Sequence, residues 1–380
     1  MEPIVSADDH VVENPDVWTR RMSRSRWGIR IPHIEHQPDG SDCWMVDGNR
    51  VALLGSGSVG ALMPDRTGEP RRWEEIPPQV WAASERLAAM DRDGIDFSVL
   101  YPSVAGVAGE TFGRLSDPEL ELACVRAYND YLIEEWAAAS PRFVPQCLIP
   151  LAPIDHAVAE IRRSADRGHK GIIIPAVPDR LREGAPHIND PAYDPIWSVC
   201  EELELPVCFH AGSLPQLEMA PYTGLSPRLA EAMRAITRPA GSTSIISNLI
   251  VSRILERHPK LKVVFAESTV GLVPYILEVA DYAFVQRGLK RQFDYEATLS
   301  DLFRRNCYAV SWYDNASLRQ TCAYVGANNV LWGSSFPHAT STWPDSRAFV
   351  GRCTEGLSHA DRRRVLWANA AELYKLEMKR

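Results

Sequence analysis

The chain has 380 residues, of which 45% are hydrophobic and 24% are charged, and its formal net charge is -8 at pH 7. These values are typical of a globular protein with a sizeable core, and the basic clusters are too short to predict nucleic acid as a partner. The sequence contains neither a run of about 18 apolar residues nor a basic and apolar leader. We therefore expect a cytoplasmic protein without a membrane span.

The first predicted strand ends in polar residues at Asp8, Asp9 and His10. Residues two apart on a strand project from the same face, so Asp8 and His10 are able to reach one metal ion. An Asp-x-His pair alone is a weak signal, because it also occurs in turns and helix caps. Whether this pair belongs to a metal site depends on the residues at the ends of the later strands.

Residues from about 20 to 78 are rich in Pro, Gly, Arg and Trp and lack a regular hydrophobic period. Within them, Asp47-Gly48 between short apolar runs predicts a hairpin over residues 43–50. A structureless loop of this length is unusual in a compact domain. We interpret the segment as an insertion that caps a single domain spanning residues 1–380.

From residue 79 onward, amphipathic helical patterns alternate with short, nearly all-apolar strands. Examples are the helix predicted over 81–92, the strand over 95–102, the long helix over 117–139 and the helix over 244–257. Counted from Ile4, about eight strands are present, which predicts an α/β fold of the (β/α)8 TIM-barrel type. A doubly wound open sheet is the alternative, but no strand is followed by a dinucleotide-binding or phosphate-binding glycine loop.

The strands of such a barrel direct their carboxyl ends at one mouth. Asp8 and His10 lie at the end of the first strand, and His210 lies at the end of the fifth. Glu267 follows the sixth strand, and His338 lies in the loop after the eighth. Each has an ordinary structural explanation, as a core histidine, a helix cap or a loop residue. Two carboxylates and three imidazoles in one mouth would be costly to desolvate without a cation. Together they predict a metal site.

Several segments resemble the amidohydrolase superfamily, in particular the branch that includes aminocarboxymuconate semialdehyde decarboxylase. They are residues 6–13, 209–212, 258–268, 333–338, 343–347 and 369–374. The resemblance implies a metal-dependent TIM barrel. It places the family's first-strand ligands on Asp8 and His10, its fifth-strand ligand on His210 and its sixth-strand position on Glu267.

The eighth-strand motif departs from that family. The family pattern resembles Gly-Ser-Asp-Phe-Pro-His, whereas this chain has Ser335 in place of the Asp. In the family that Asp is a metal ligand and a base. A neutral hydroxyl cannot hold a proton taken from water, and general base catalysis contributes about 10²- to 10⁴-fold to a rate. We therefore expect the inherited chemistry to be altered.

Three functions remain open at this point. The first is an inert barrel that binds a ligand without a metal or turnover. The second is a hydrolase or non-oxidative decarboxylase with one Zn or Mn ion, in which Glu267 or His338 replaces the missing base. The third, which the altered motif favours, is redox chemistry with iron, because mixed carboxylate and imidazole ligands suit non-haem Fe(II).

The third function rests on a further resemblance. The chain is similar to the non-haem diiron monooxygenases of platensimycin and platencin biosynthesis, which implies two Fe ions and O2 as co-substrate. The implied substrate is a bulky diterpenoid carried as a coenzyme A ester, with electrons from a separate ferredoxin and reductase. The implied ligands are Asp8, His10, His210, Glu267 and His338, with Ser335 and Glu13 nearby as weaker candidates.

Residues for binding the substrate are predicted on two parts of the chain. Trp312, Tyr313 and Trp343 follow the last two strands and are candidates for lining the pocket, although ordinary barrel packing explains them equally well. Arg71 and Arg72 in the insertion are candidates for pairing with phosphates. The alternative is that these arginines are solvated. A homodimer formed through outer helices is also expected.

Overall fold

The computed structural model describes residues 2–53, 59–66, 69–213 and 224–378. In this part of the chain, eight parallel strands form one sheet whose spatial order follows the chain order. The strands are Val5–His10, Phe97–Tyr101, Phe143–Leu148, Gly171–Ile173, Val207–His210, Val263–Ala266, Cys307–Ser311 and Val330–Trp332. The first and last meet through a parallel bridge between Asp9 and Phe336. The predicted (β/α)8 barrel is confirmed, and an open sheet is excluded.

Amphipathic helices cover the outside of the barrel. The longer ones are Ala83–Asp93, Pro118–Tyr131, Ile154–Arg167, Asp194–Leu203, Pro227–Thr237, Ser242–Val251, Leu272–Gln286, Leu299–Asn306, Ala316–Tyr324 and Ser346–Cys353, and the chain closes with His359–Arg363 and Asn369–Tyr374. The strand sequences are almost continuously apolar because the helices bury one face of each strand and the barrel interior buries the other. Among the described residues, no helix combines the length and the apolarity that crossing a membrane requires.

Two predicted helices differ from the structure in an informative way. The helix expected over 117–139 is α-helical over Pro118–Tyr131 and continues as a π-helix over Leu132–Ala137. The helix expected over 244–257 is divided into Ser242–Val251 and Ile254–Arg257. Arg253 between them has φ +64°, a left-handed conformation that ends one helix before the next begins.

The insertion contains a three-stranded antiparallel sheet formed by His33–His36, Asp42–Val46 and Asn49–Leu53. The predicted hairpin is confirmed. Asp47 and Gly48 have φ values of +52° and +74°, as a two-residue type I′ turn requires at both of its central positions. A small hydrophobic cluster joins Val59 and Ile76 of the insertion to Val12 and Val80, which flank the insertion in the chain.

The insertion packs on the loop that follows the eighth strand. The Arg66 guanidinium donates to the carbonyl oxygens of Ala339 at 2.9 Å and Ser341 at 2.7 Å. A Cβ atom added at Gly60 would lie 2.6 Å from the Cβ of Ala339, so only glycine allows this close approach. These contacts support the prediction of a cap, because the loop beneath them carries His338.

Candidate metal centre

The first strand brings two ligand candidates to the barrel mouth. The strand is irregular between Ser6 and Asp9, where its register with the second strand shifts. Asp8 and His10 are both buried, and His10 Nε2 lies 3.4 Å from Asp8 Oδ1. The other ring nitrogen, Nδ1 of His10, lies 3.4 Å from the carbonyl oxygen of Pro102. This contact orients the ring so that Nε2 faces Asp8.

The fifth strand ends at His210 and completes the cluster. His210 Nε2 lies 3.5 Å from Asp8 Oδ1 and 3.2 Å from His10 Nε2. The backbone N–H of Gly212 donates to His210 Nδ1 at 3.0 Å and fixes the ring. Ligand atoms of Asp8, His10 and His210 all lie within 4.8 Å of one another, so they are able to hold one ion.

The polar atoms of this cluster fit a divalent cation. Asp8 Oδ1 is buried and accepts no hydrogen bond from the described part of the chain. Burial opposes ionisation of Asp8, but the charge on His210 and contact with His10 outweigh it and hold the Asp8 pKa well below its ordinary value. A buried anion beside two imidazole nitrogens is a donor set typical of Zn²⁺ and Mn²⁺ sites.

The histidines differ in how readily they are protonated. Burial, together with the charge on His338, lowers the pKa of His10 to about 4. Burial also disfavours protonation of His210, but Asp8 outweighs it and raises the His210 pKa. His10 is therefore a neutral imidazole at pH 7, the form that coordinates a metal.

Glu267 lies directly after the sixth strand and is buried beside the cluster. Its Oε1 atom accepts a hydrogen bond from Ser335 Oγ at 2.9 Å and lies 3.3 Å from His338 Nδ1. Its Oε2 atom lies 4.0 Å from His210 Nδ1 and accepts no hydrogen bond from the described residues. Burial opposes ionisation, but contact with His338 and the charge on His210 lower the Glu267 pKa to about 2.

Ser335 and Glu267 share an unusual backbone conformation. Their φ values are +56° and +50°, in the left-handed region that non-glycine residues rarely adopt. The backbone N–H of Ser335 donates to the carbonyl oxygen of Asp8 at 2.9 Å, and its Oγ lies 3.1 Å from His338 Nδ1. Strain of this kind is concentrated at functional sites, where the surrounding contacts hold it in place.

His338 lies between the cluster and solvent. Its ring centroid is 4.1 Å from that of His10 at an interplanar angle of 47°. Its side chain is 13% exposed, whereas the Glu267 side chain is 1% exposed. The structure thus brings together all six residues predicted at the strand ends, with Asp8, His10 and His210 as one cluster and Glu267, Ser335 and His338 as a hydrogen-bonded group beside it.

Asp9 is a structural residue that the sequence analysis did not single out. Its carboxylate accepts hydrogen bonds from the hydroxyls of Ser6 at 2.8 Å, Ser98 at 2.5 Å and Ser334 at 2.5 Å. Burial raises the Asp9 pKa to about 6. These bonds connect the first, second and eighth strands and fix the backbone that carries Ser335.

Arg86 was also missed, because it occupies an ordinary polar position in a helix pattern. It is buried, and its guanidinium donates to the carbonyl oxygens of His10 at 2.6 Å and Gln79 at 2.7 Å. It also lies 4.4 Å from the ring centroid of Phe336. Arg86 therefore supports the ligand-bearing strand from outside the mouth.

Glu13 was predicted as a further ligand candidate. Its two carboxylate oxygens accept hydrogen bonds from the backbone N–H groups of Ser103 at 3.2 Å and Val104 at 2.8 Å. Burial raises the Glu13 pKa to about 7. The structure thus places the Glu13 carboxylate against the loop after the second strand, outside the three-residue cluster.

The predicted substrate residues lie in varied surroundings. Trp312 is buried, its Nε1 donates to the carbonyl oxygen of Thr340 at 3.1 Å, and its ring packs against Tyr313 at 4.7 Å. Tyr313 is 48% exposed. Trp343 packs against Phe336, with ring centroids 5.6 Å apart. A role in binding substrate stays a prediction for all three.

Arg71 and Arg72 lie on the surface of the insertion. Arg71 donates to the carbonyl oxygen of Asp39 at 3.0 Å, and Arg72 lies 3.4 Å from Glu74. Both side chains are more than half exposed. They pair with carboxylates and carbonyls of their own segment, and a role in binding phosphates stays a prediction for both.

The fold and the buried ligand set define a metal-binding (β/α)8 barrel. The chain belongs to the amidohydrolase family, whose sequence profile matches residues 44–376. The gamma-resorcylate decarboxylase of Rhizobium sp. (strain MTP-10005) is 25% identical over 316 residues, which cover 80% of this chain and 91% of the relative. The 2-amino-3-carboxymuconate-6-semialdehyde decarboxylase of Dictyostelium discoideum is 23% identical over 314 residues, which cover 80% of each.

Solved structures share the fold over nearly the whole chain. An amidohydrolase from Mycobacterium avium subsp. paratuberculosis K-10 has a TM-score of 0.79 at 22% identity and covers 98% of this chain and 99% of its own. A dihydroxybenzoic acid decarboxylase from Polaromonas sp. JS666, solved with manganese and 2-nitroresorcinol, has a TM-score of 0.67 at 17% identity. The match covers 100% of this chain and 98% of that one.

These relatives correct the functional prediction. The prediction of a diiron monooxygenase was wrong, because the related enzymes are decarboxylases. Among the described residues, Asp8, His10 and His210 form one cluster, which fits one divalent ion rather than two Fe ions. The expected O2, coenzyme A ester, ferredoxin and reductase have no support beyond that resemblance. The physical reason for the error lies at Ser335, which was interpreted as the loss of a carboxylate. Glu267, which follows the sixth strand, brings a carboxylate within 2.9 Å of the Ser335 hydroxyl.

Proposed function

We propose that this protein is a non-oxidative decarboxylase of a small aromatic or conjugated carboxylic acid, dependent on one Mn²⁺ or Zn²⁺ ion. The observation that carries the proposal is the buried cluster of Asp8, His10 and His210 at the mouth of a barrel whose relatives are decarboxylases. A second carboxylate, Glu267, lies beside that cluster.

The ligand set determines where a substrate would react. Asp8, His10 and His210 would hold the ion, which supplies the positive charge that polarises substrate oxygens. The three side chains are at most 2% exposed, so water is largely excluded around them. Exclusion of water strengthens each electrostatic interaction within the site.

Decarboxylation also requires one proton. When the bond between the substrate carbon and its carboxylate breaks, the electron pair stays on that carbon and CO2 leaves, so a proton must take its place. We assign proton delivery to His338, since its Nδ1 lies 3.3 Å from Glu267 Oε1 and its side chain reaches solvent. Glu267 stabilises the protonated imidazole, and the Ser335 hydroxyl fixes the position of both.

The proposal is tested by an activity screen with the metal-loaded protein. Manganese-loaded and zinc-loaded samples would be incubated with 2,6-dihydroxybenzoate and with 5-carboxyvanillate, the acids on which related enzymes act. We expect CO2 and the decarboxylated phenol in equal amounts, and we expect the Asp8→Asn variant to release neither. Hydrolysis of esters or lactones with no CO2 from a broad panel of acids would contradict the proposal.

A further inference from the structure

The loop after the sixth strand has an unusual backbone conformation at two positions. Glu267 has φ +50° and Thr269 has φ +47°, and both values lie in the left-handed region. For a β-branched residue such as Thr269 this conformation is an outlier, because the branched side chain crowds the backbone. It persists only where contacts from the surroundings hold it. The residues that hold this loop therefore control where the Glu267 carboxylate lies.

Asp314, in the loop after the seventh strand, makes one of these contacts. It is buried, and its Oδ1 atom accepts hydrogen bonds from the hydroxyls of Thr269 at 2.7 Å and Ser317 at 3.0 Å. Its Oδ2 atom accepts from the backbone N–H of Trp312 at 3.1 Å and from the Ser311 hydroxyl at 3.3 Å. Three of these donors belong to the seventh strand, its loop and the helix that follows. The fourth, Thr269, belongs to the loop that carries Glu267.

The loop after the sixth strand also packs closely on the helix that carries Ser317. The Thr321 hydroxyl of this helix donates to the carbonyl oxygen of Val270 at 2.9 Å. A Cβ atom added at Gly271 would lie 2.8 Å from the Ser317 Cβ, so the two backbones approach each other closely. Residues 269–271 are therefore held by one neighbouring element.

Glu267 lies between this anchored segment and the eighth strand. Its Oε1 atom accepts a hydrogen bond from Ser335 Oγ at 2.9 Å and lies 3.3 Å from His338 Nδ1. Thr269 follows Glu267 by only two residues, and both are left-handed. A change of backbone conformation at Thr269 would therefore turn the Glu267 carboxylate away from both partners.

We propose that Asp314 is a positioning residue, which holds Glu267 beside Ser335 and His338 through its hydrogen bond with Thr269. Asp314 acts on the reaction through the backbone of this loop. The inference rests on the proposed function, because Glu267 is the residue that stabilises the protonated His338 there.

Thr269→Val tests this role, because it removes the hydroxyl that Asp314 binds and keeps the branched shape. The manganese-loaded protein would be assayed with 2,6-dihydroxybenzoate or 5-carboxyvanillate, whichever the unmodified protein decarboxylates. We expect kcat for CO2 release to fall by about 10- to 100-fold, as the loss of one hydrogen bond to a charged group predicts, with KM and manganese content unchanged.

Two further variants at these positions sharpen the test. Thr269→Ser keeps the hydroxyl and should retain the rate of the unmodified protein. Asp314→Asn has one acceptor oxygen in place of two, so it cannot satisfy all four donors, and its kcat should fall as in Thr269→Val.

A matched control removes a buried threonine hydroxyl elsewhere. Thr354 follows the outer helix Ser346–Cys353, and its hydroxyl donates to the carbonyl oxygen of Val350 at 2.6 Å. Thr354→Val should retain the full kcat. A loss of rate in this variant equal to that in Thr269→Val would overturn the inference.

Combining Thr269→Val with Glu267→Gln separates positioning from a general structural effect. If Thr269 acts through Glu267, Thr269→Val should cause no further loss of kcat in the Glu267→Gln protein, because residues that act as one unit are not additive. An equal loss in both backgrounds, or a full rate in Thr269→Val, would overturn the role of Asp314 while the decarboxylase stands.

Crystal structures make the test independent of activity. In Thr269→Val we expect the distance between Ser335 Oγ and Glu267 Oε1 to lengthen from 2.9 Å to beyond hydrogen-bond distance. An unchanged distance would overturn the role of Asp314. If the unmodified protein released no CO2, the proposed function would be refuted, and this distance would still decide whether Asp314 positions Glu267.

Discussion

At the scale of single residues, Ser335 and Glu267 show why one altered motif did not indicate the chemistry of the site. Ser335 replaces an acid that the related motif carries, but the Ser335 hydroxyl donates to Glu267, which comes from another strand. An acid therefore remains beside His338. A sequence motif shows the residues of one segment, whereas the site contains side chains from all strands that end at the barrel mouth.

Glu267→Gln tests this relocation. The amide keeps the size of the side chain and a partner for the Ser335 hydroxyl, but it cannot stabilise a protonated His338. We expect the rate of CO2 release to fall by about 10²- to 10⁴-fold, the range of general acid and base catalysis, with Asp8, His10 and His210 still binding metal. Steady-state kinetics with metal analysis would check this.

Glu202→Gln is the matched control, since Glu202 is an exposed glutamate paired with Arg162. It should retain the full rate. A Glu267→Gln variant that also retains the full rate would contradict the assignment of Glu267.

His169 predicts an acid-sensitive contribution to stability. It is buried, its Nδ1 lies 3.1 Å from the carbonyl oxygen of Ser164, and burial lowers its pKa to about 4. The unfolded chain binds a proton near pH 6.5 and the folded chain near pH 4, so this stability is present above pH 6.5 and is lost as the pH falls to about 4.

His169→Asn keeps an N–H donor but does not titrate. Chemical denaturation from pH 7 to pH 4 should show that the unmodified protein loses up to about 3 kcal/mol more than the variant. If the free energies of unfolding of the two proteins changed in parallel over that range, the interpretation of His169 as a buried neutral histidine would be refuted.

At the scale of elements, the ligand candidates at the strand ends were predictable, whereas the buried residues that hold those strands in place were not. Asp8, His10, His210 and Glu267 follow from the rule that parallel strands deliver side chains to one mouth. Asp9 was not predicted as a support, because regular alternation along a strand would turn it away from its neighbours' side chains. The register shift between Ser6 and Asp9 redirects it toward three hydroxyls from different strands.

Arg86 and Arg238 show a second limit of sequence reasoning. Each is a single arginine in a helical or loop segment, a pattern typical of a solvated surface. Arg86 donates to the His10 carbonyl oxygen, 76 residues away in the chain, and Arg238 NH1 lies 3.8 Å from Glu267 Oε2, 29 residues away. Only the closed barrel brings such partners together.

The insertion gives a prediction of its own. Arg66 connects it to the loop that carries His338, so Arg66→Met should loosen that loop without altering the metal ligands. We expect faster amide hydrogen exchange over residues 337–343 and slower turnover, with unchanged metal content. Hydrogen exchange followed by mass spectrometry measures the first effect directly.

Arg50→Met is a suitable control, because Arg50 is an exposed residue of the strand Asn49–Leu53 in the same insertion. It should leave exchange over 337–343 unchanged. Equal exchange in Arg66→Met and the unmodified protein would show that the Arg66 contacts do not hold the loop.

At the scale of the whole molecule, metal binding and stability should be coupled. An ion that binds only the folded chain stabilises it by about 2.7 kcal/mol at a free concentration 100 times its Kd. We expect thermal unfolding to shift upward when Mn²⁺ is added to chelator-treated protein, and not in Asp8→Asn. An equal shift in both proteins would indicate that the ion binds elsewhere.

The homodimer expected from the sequence stays a prediction. The helix Leu272–Gln286 leaves Tyr275, Val279 and Tyr282 exposed at helical spacing, which is the kind of surface that such a contact would cover. The barrel itself needs no partner to complete the ligand cluster, because Asp8, His10 and His210 all come from one chain.

Non-oxidative decarboxylation is tested most directly by following the incorporated proton and the O2 concentration in one reaction. Manganese-loaded protein and its acid substrate would be combined in D2O with O2 monitored throughout. We expect one CO2 and one deuterium at the carbon that lost its carboxylate for each substrate consumed, with O2 constant. Oxygen consumption in proportion to turnover, or a product without deuterium at that carbon, would contradict it.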